Sequence, residues 1–159
     1  MGPVSLQDGE DCAKKLYLAI KACALYQVAQ NRYLSIMLKF VYCVRRNPKM
    51  SVEAFRKYWL ENHGPLVRSY AKTLKARRYV QSHTLDHPLN GAAQQPRGTR
   101  PAYDGITEIW WDSADDLIGV LSTPEGLKAN MVLAEDEARF CDLPNCSVFF
   151  TEEHTIFDV

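Results

Sequence analysis

The chain has 159 residues, which suits one domain, since domains cluster near about 100 to 150 residues. Hydrophobic residues make up 47% and charged residues 24%, with 19 basic against 19 acidic side chains, so the composition is that of a soluble globular protein without a polyanionic partner. The five cysteines show neither a C-x-x-C pair nor paired histidines at ligand spacing, so we expect reduced thiols, a cytoplasmic setting and no metal.

The first 36 residues contain the apolar stretch KKLYLAIKACALYQVA at 14–29. Lys21 interrupts this stretch and no A-x-A site follows it, which argues against a signal peptide. The stretch is also too short and too charged to span a bilayer, so we expect no membrane association. The longest basic cluster, KARR at 75–78, lacks a broader basic face, so no nucleic-acid partner is expected.

The segment IMLKFVYCVRR, residues 36–46, is apolar on both faces apart from Lys39, which predicts a buried first strand. Ser51 then provides the N-cap of a helix. Because a residue before proline is disfavoured in the helical region, the helix is predicted to break at 62–64, with Pro65 opening a second segment.

A second strand is predicted at 76–85, where polar and apolar residues alternate. The alternation places Tyr79, Gln81 and His83 on one face of the strand. It places Arg78, Val80 and Ser82 on the other face. Residues 86–102 carry three prolines and two glycines, which predicts a long loop.

The third strand is predicted at 103–112, with Ile106, Glu108 and Trp110 on one face and Thr107, Ile109 and Trp111 on the other. Ser113 caps a short helix to about residue 121, and Thr123 with Pro124 begins another that runs to about residue 140. A fourth strand is predicted at 147–157.

The element order βαββαβ predicts an α+β, ferredoxin-like fold, in which helices cover one face of a four-stranded sheet. The other face is expected to be bare. It is predicted to hold Tyr79, Gln81, His83, Glu108 and Trp110. Since this face is too polar for a dry core, we expect a second copy or a ligand to cover it. Two sheets closing face to face would form an eight-stranded α/β barrel with a cavity in each half.

Several stretches, taken in this order, resemble one known family. They are VRRNPKMSVEAFRKYWLENHGPLV (44–67), RRYVQSH (77–83), YDGITEIWWDS (103–113), STPEG (122–126), DEARFCD (136–142) and TEEHTIF (151–157). The chain thereby resembles EthD-domain proteins of the dimeric α/β barrel superfamily from Met37 to Phe157, which assigns the domain to 37–159. Residues 1–36 lie outside the likeness and form an N-terminal extension, either an amphipathic helix or a start-site artefact.

The resemblance implies a homodimeric barrel with no metal, flavin or nicotinamide cofactor. Bacterial members are associated with ether degradation beside an oxygenase system and are often described as oxidoreductase-like. Fungal relatives resemble cofactor-free enzymes of aromatic polyketide pathways that decarboxylate or dehydrate. They share a histidine before x-Pro-Leu, a histidine ending the second strand and a Tyr-Asp opening the third, which fall here on His63, His83 and Tyr103-Asp104.

Two functional hypotheses follow. In the first, the protein is a small cofactor-independent enzyme in which His63 and His83 move protons and Asp104 orients one of them. Its pocket binds an aromatic or polyketide-like, hydrophobic small molecule for decarboxylation, dehydration or cyclisation. The expected binding residues are Tyr79, Gln81, Glu108 and Trp110. In the second, the barrel is a noncatalytic binding or accessory protein of an oxygenase system.

Each singled-out residue also has a purely structural interpretation. His63 would cap carbonyl groups at a helix end, His83 would be a satisfied core histidine, and Asp104 before a glycine would belong to a turn. Glu108 would pair with Arg78 or Tyr79 on a neighbouring strand. The sequence leaves these alternatives open.

Overall fold

The computed structural model describes residues 37–159, so the predictions for 1–36 lie outside the described residues. Four strands are present: β1 (Leu38–Val44), β2 (Arg78–His83), β3 (Gly105–Trp111) and β4 (Ser147–Thr151). The α-helices are α1 (Val52–Tyr58), α2 (Gly64–Tyr70), α3 (Leu89–Gln94), α4 (Ala114–Leu121) and α5 (Pro124–Phe140). A π-helical segment, Trp59–His63, joins α1 to α2, and 3-10 turns occur at Gln95–Arg97 and Leu143–Asn145.

The four strands form one antiparallel sheet in the order β2-β3-β1-β4. The helices cover one face, and this confirms the predicted ferredoxin-like α+β fold. The predicted N-caps are also confirmed. Ser51, Ser113 and Thr123 each accept a backbone hydrogen bond from the first turn of the helix that follows, which satisfies a donor that the helix cannot pair itself.

The predicted helix break at 62–64 is wrong. His63 and Gly64 both have right-handed helical dihedrals, and the Gly64 N–H donates to the carbonyl of Trp59 five residues earlier. A residue before proline is excluded from the helix mainly because its Cβ clashes with the proline ring, and Gly64 has no Cβ. The chain therefore widens into one π turn, which also accommodates the missing N–H of Pro65.

Two other elements differ from their predicted extent. The predicted loop 86–102 contains the short helix α3 and a 3-10 turn. Strand β4 ends at Thr151 rather than near 157, and residues 152–159 have no regular structure. Residues beyond Thr151 have no partner in the β1 register, so the extended pattern there does not continue the sheet.

The assignment of side chains to sheet faces needs a correction. In the β2–β3 register Tyr79 pairs with Ile109, Gln81 with Thr107, and His83 with Gly105. Paired residues share a face, so Tyr79, Gln81 and His83 lie on the helix-covered side, opposite Glu108 and Trp110. The uncovered side of β2 carries Arg78, Val80 and Ser82 instead. The expected single cluster of five polar residues is thus divided between the two faces.

The core lies between this covered face and the helices, in two clusters. The first holds Tyr42, Val44, Phe55, Trp59, Phe140 and Cys141, and the second holds Val67, Leu74, Val120, Ala129 and Leu133. The first cluster joins α1, the π turn and the end of α5 to β1. It therefore fixes the position of the π turn over the sheet.

Gly105 allows the π turn to approach the sheet. A Cβ added at Gly105 would lie 2.5 Å from Cζ3 of Trp59 and 2.8 Å from the carbonyl oxygen of Ser82. The indole ring of Trp59, which is 1% exposed, therefore rests directly on the backbone of β3. Only glycine leaves room for this contact.

Substituting Gly105→Ala is expected to lower the free energy of unfolding by about 1 to 3 kcal/mol, because the added methyl group overlaps Trp59 and the strand backbone. Urea denaturation measures this change. Gly119→Ala is the matched control, since nothing lies within 4 Å of its added Cβ and alanine favours its helix. Equal stability of Gly105→Ala and wild type would contradict the close contact.

Candidate active site

A polar contact between His63 and Asp136 joins the π turn to α5. Nδ1 of His63 lies 2.8 Å from Oδ2 of Asp136, and the hydroxyl of Tyr58 donates to Oδ1 of the same carboxylate at 2.7 Å. His63 is 4% exposed and its ring packs against Phe140 with centroids 5.0 Å apart. The end of α1, the π turn and α5 thus hold a phenol, a histidine and a carboxylate in one partly buried chain.

These contacts define the protonation state of His63. A carboxylate only accepts hydrogen bonds, so Nδ1 carries the proton and Nε2 is the basic nitrogen. Burial lowers the pKa of His63, and the hydrogen bond and charge of Asp136 partly oppose this. Burial, and then the hydrogen bond and charge of Asp136, raise the pKa of Tyr58. Its hydroxyl group therefore stays protonated and donates the hydrogen bond. Among residues 37–159, nothing forms a hydrogen bond with Nε2 of His63.

Gln81 organises a second polar network on the covered face. Its Nε2 donates to the carbonyl of Trp59 and to the hydroxyl of Tyr79, each at 2.9 Å. Its Oε1 therefore accepts from Nε2 of His83, at 3.2 Å. The ring of His83 stacks on Trp59 with centroids 4.6 Å apart and planes 2° apart. Burial, and then the charge of Arg56, lower the pKa of His83.

The two histidines lie on the same side of the sheet, and the π turn positions both of them. His63 is the last residue of the π turn, and His83 stacks on its first residue, Trp59. Gln81 bonds the carbonyl of that same Trp59. The structure therefore brings His63, His83, Gln81 and Tyr79 to one region of the covered face.

Asp104 lies outside this region's hydrogen-bond network. Its carboxylate accepts from the backbone N–H of Arg46 at 3.1 Å and lies 3.3 Å from Nε of Arg46. Within residues 37–159 it contacts neither histidine, so the expected pairing of Asp104 with a histidine is not made. The preceding Tyr103 bonds Ser147 at 2.9 Å, with the guanidinium of Arg45 over its ring.

Glu108 and Trp110 lie on the uncovered face. Glu108 forms an ion pair with Lys39 on β1 rather than with Arg78 or Tyr79. Lys39 also bonds Glu153 at 3.0 Å, and Glu153 accepts from Nε1 of Trp110 at 2.8 Å. This cluster is separated from His63 by the sheet itself.

Two acidic residues that the sequence analysis did not single out lie on the inner side of α5. Glu137 is mostly buried, at four residues from the core residue Leu133 and three from Phe140, while Asp136 holds His63. Burial, and then the charges of Cys146 and Asp136, raise the pKa of Glu137 to about 8. Carboxylates on the apolar stripe of an amphipathic helix are a signal that could have identified both.

Cys146 also has a polar environment that the sequence did not reveal. Its Sγ accepts from the backbone N–H of Arg45 at 3.2 Å. The hydrogen bond with Cys141, and then that backbone contact, lower its pKa, whereas the same pairing and burial raise the pKa of Cys141.

Among the described residues, no three side chains of the metal-binding types stand close enough to hold an ion. Within the same residues, no helix is both long and apolar enough to cross a bilayer.

The EthD domain family model matches residues 47–144, which include the π turn, β2, β3 and α5. This chain belongs to the EthD family. A solved EthD family protein from Bacillus halodurans matches with a TM-score of 0.50 and 20% identity, over 75% of this chain and 100% of that one. An EthD-like protein from Ralstonia eutropha also has a TM-score of 0.50, with 13% identity, over 79% and 97% of the two chains. None of the curated proteins matches this EthD chain.

The raised pKa of Glu137 gives a stability prediction. The carboxyl group ionises near 4.5 in the unfolded chain and near 8 in the native protein, so between these values the native state binds more protons. Its contribution to the free energy of unfolding therefore falls as pH rises from about 4.5 to 8. Glu137→Gln should remove this fall and be more stable than wild type at pH 8 by roughly 1 to 4 kcal/mol.

Urea denaturation at several pH values across this window measures the difference. Glu135→Gln, an exposed residue of the same helix, is the matched control and should follow wild type. Titrating groups that do not interact with Glu137 contribute equally to all three proteins. Parallel pH dependences for Glu137→Gln and wild type would show that Glu137 is not buried in protonated form.

Proposed function

We propose that this EthD protein is a cofactor-independent enzyme in which His63 moves protons on an aromatic or polyketide-like substrate. The observation that carries the proposal is the Tyr58–Asp136–His63 chain around the buried His63, which leaves Nε2 of His63 as an unprotonated nitrogen without a partner among residues 37–159. A positioned base of this kind accelerates proton transfer by about 10²- to 10⁴-fold.

The chemistry follows from the charge that His63 acquires. When Nε2 accepts a proton from a C–H or O–H group of a β-keto or phenolic substrate, the ring becomes an imidazolium. The carboxylate of Asp136, 2.8 Å from Nδ1, stabilises that cation and keeps the ring in the tautomer that the next cycle needs. In a decarboxylation Nε2 takes the acid O–H proton, CO₂ leaves as the C–C bond electrons pass into the enolate, and the imidazolium returns the proton to the enolate carbon. In a dehydration Nε2 takes a C–H proton, the new double bond expels the hydroxyl group, and the imidazolium protonates that group to water.

The second network supplies binding and orientation in this proposal. Tyr79, Gln81 and His83 present a phenol, an amide and an imidazole on the same face of the sheet as His63. Glu137 adds a carboxyl group that remains largely protonated at neutral pH and can donate to a developing enolate. Asp104, Glu108 and Trp110 have no role in proton transfer here, because they lie apart from His63.

A purely noncatalytic binding protein is less well supported. Such a protein needs polar groups only for orientation, and these would keep ordinary pKa values and few mutual contacts. Here the pKa of His63 is lowered, that of Glu137 is raised, and His63 bonds a carboxylate that a tyrosine also bonds. Perturbed, mutually connected groups favour catalysis.

We also propose that the protein is a homodimer through the uncovered sheet face. Ile106 is 36% exposed and Phe149 is 46% exposed on that face, where Val41 and Val80 flank Glu108 in the register. The ion pair between Lys39 and Glu108 already neutralises the charges at its centre. An apolar surface with its charges paired is suited to cover a second copy of itself.

The function is tested with a panel of aromatic β-keto acids and hydroxylated polyketide-type ketones, with CO₂ release and loss of water as readouts. His63→Ala should reduce turnover by about 10²- to 10⁴-fold. Asp136→Asn should reduce it too and alter the pH profile, because the tautomer is no longer fixed. In wild type, kcat/KM should fall as pH drops below the lowered pKa of His63, since the base becomes protonated.

His154→Ala is the control, because its side chain is 72% exposed and lies outside the site. Wild-type turnover in His63→Ala would remove His63 from the mechanism. Turnover by no member of the panel, together with tight binding of several, would favour the noncatalytic alternative.

The dimer is tested by sedimentation velocity at micromolar concentration. Ile106→Lys adds a charge in the middle of the proposed interface and should shift the protein towards monomer. Leu60→Lys adds the same charge at an exposed position on the helical side and should not. A monomeric wild type, or dimers unaffected by Ile106→Lys, would exclude this interface.

A further inference from the structure

Arg56, in the last turn of α1, is a half-buried cation that has no counter-ion within residues 37–159. One guanidinium nitrogen, Nη2, donates to the carbonyl of Thr84. Its Nε is buried and has no hydrogen-bond partner in the described part of the chain. Among residues 37–159 no acidic side chain forms an ion pair with it. The charge of Arg56 has only a minor electrostatic effect on Glu53, an exposed residue one turn earlier. By contrast, the buried Nε of Arg46 has the carboxylate of Asp104 3.3 Å away.

The hydrogen bond to Thr84 brings the guanidinium beside His83. Thr84 directly follows His83, and Trp59, on which His83 stacks, lies three residues after Arg56 on the same helical run. Nε2 of His83 is committed to Gln81, but Nδ1 has no partner among residues 37–159. The charged group whose field reaches His83 is Arg56, and it disfavours the imidazolium.

Two basic groups therefore lie near the end of β2, and no acidic side chain of the described residues pairs with either. A buried polar group without a partner calls for an explanation, and an uncompensated charge is costly to hold away from water. A bound anion would offset both costs. The guanidinium fork matches the two oxygens of a carboxylate, and a protonated His83 would add one more donor through Nδ1.

We propose that Arg56 and His83 form a carboxylate subsite, which binds the acid group of an aromatic acid next to the Trp59–Gln81 network. This inference rests on the proposed function only in taking the bound acid to be the substrate. It adds a substrate-binding site to that function, because an acid group held here would fix the orientation of the molecule relative to His63. Arg56 and His83 are then positioning residues rather than proton carriers.

The test uses salicylate as an anionic probe and salicylamide as its neutral counterpart, with binding followed by NMR and calorimetry. Wild type should bind salicylate more tightly than salicylamide, with chemical shift changes at Gln81, His83 and Thr84. Arg56→Gln should weaken salicylate binding about tenfold or more and leave salicylamide unchanged. Lys57→Gln removes the same charge from the next, exposed residue and should have little effect.

The pH dependence provides an independent readout. Because a bound carboxylate stabilises the imidazolium, salicylate affinity should rise as pH falls through the pKa of His83, and His83→Gln should abolish this rise. If Arg56→Gln does not fold, as judged by circular dichroism, Arg56→Lys keeps the charge without the fork and should bind salicylate more weakly than wild type. Equal binding of the two probes, equal losses in Arg56→Gln and Lys57→Gln, or shifts confined to the uncovered face would overturn the subsite.

The outcome separates this inference from the proposed function. Salicylate binding that depends on Arg56, in a protein without turnover on any substrate, would keep the subsite and reject the enzyme. Turnover that depends on His63 but is unaffected in KM by Arg56→Gln would keep the enzyme and reject the subsite.

Discussion

The carbonyl oxygen of Trp59 accepts two hydrogen bonds, one from the N–H of Gly64 and one from Nε2 of Gln81 at 2.9 Å. The first closes the π turn, and the second ties that turn to the central part of the covered sheet face. Both histidines depend on this atom, because His63 ends the turn and His83 stacks on Trp59. A single widened helical turn, which often occurs at functional sites, thus sets the geometry of the candidate site.

The polar groups buried around this turn lower the free energy of unfolding. Glu137 lies where an amphipathic helix normally carries an apolar side chain, and its raised pKa measures the cost of that position. His63 is buried in its less hydrated neutral form, with Asp136 recovering part of the cost through a hydrogen bond. Local departures from the rules of core packing are expected at functional sites, and the aromatic cluster of Phe55, Trp59 and Phe140 offsets them by filling the surrounding interior.

The sequence was sufficient for the fold because the decisive signals are local. The caps at Ser51, Ser113 and Thr123 act within one helical turn, and alternation within β3 correctly divided Glu108 and Trp110 from Thr107 and Ile109. Alternation tells which residues of a strand share a face, but it does not tell which face the helices will cover. For that reason Tyr79, Gln81 and His83 were assigned to the wrong side.

The partners within the site could not be predicted for a related reason. His63 and Asp136 are 73 residues apart, and Arg46, which binds Asp104, comes 58 residues before it. Such pairs arise only when helices and strands have packed. The π turn was missed because the rule for residues before proline assumes a Cβ, and Gly64 lacks one. The functional importance of His63 was predicted by family resemblance, whereas its carboxylate partner required the structure.

The two faces of the sheet differ in how completely their polar groups are paired, and this difference separates their roles. On the uncovered face Lys39 binds both Glu108 and Glu153, and Glu153 also binds Trp110, so the principal charges there are already satisfied. On the covered face, within residues 37–159, Nε2 of His63, Nδ1 of His83 and Nε of Arg56 all lack partners. A surface whose hydrogen bonds are complete loses little when another protein covers it, whereas unpaired donors and acceptors gain most from a ligand that supplies the missing atoms. The polar ligand site is therefore best sought beneath the helices, and the apolar remainder of the open sheet is the better surface for a second copy.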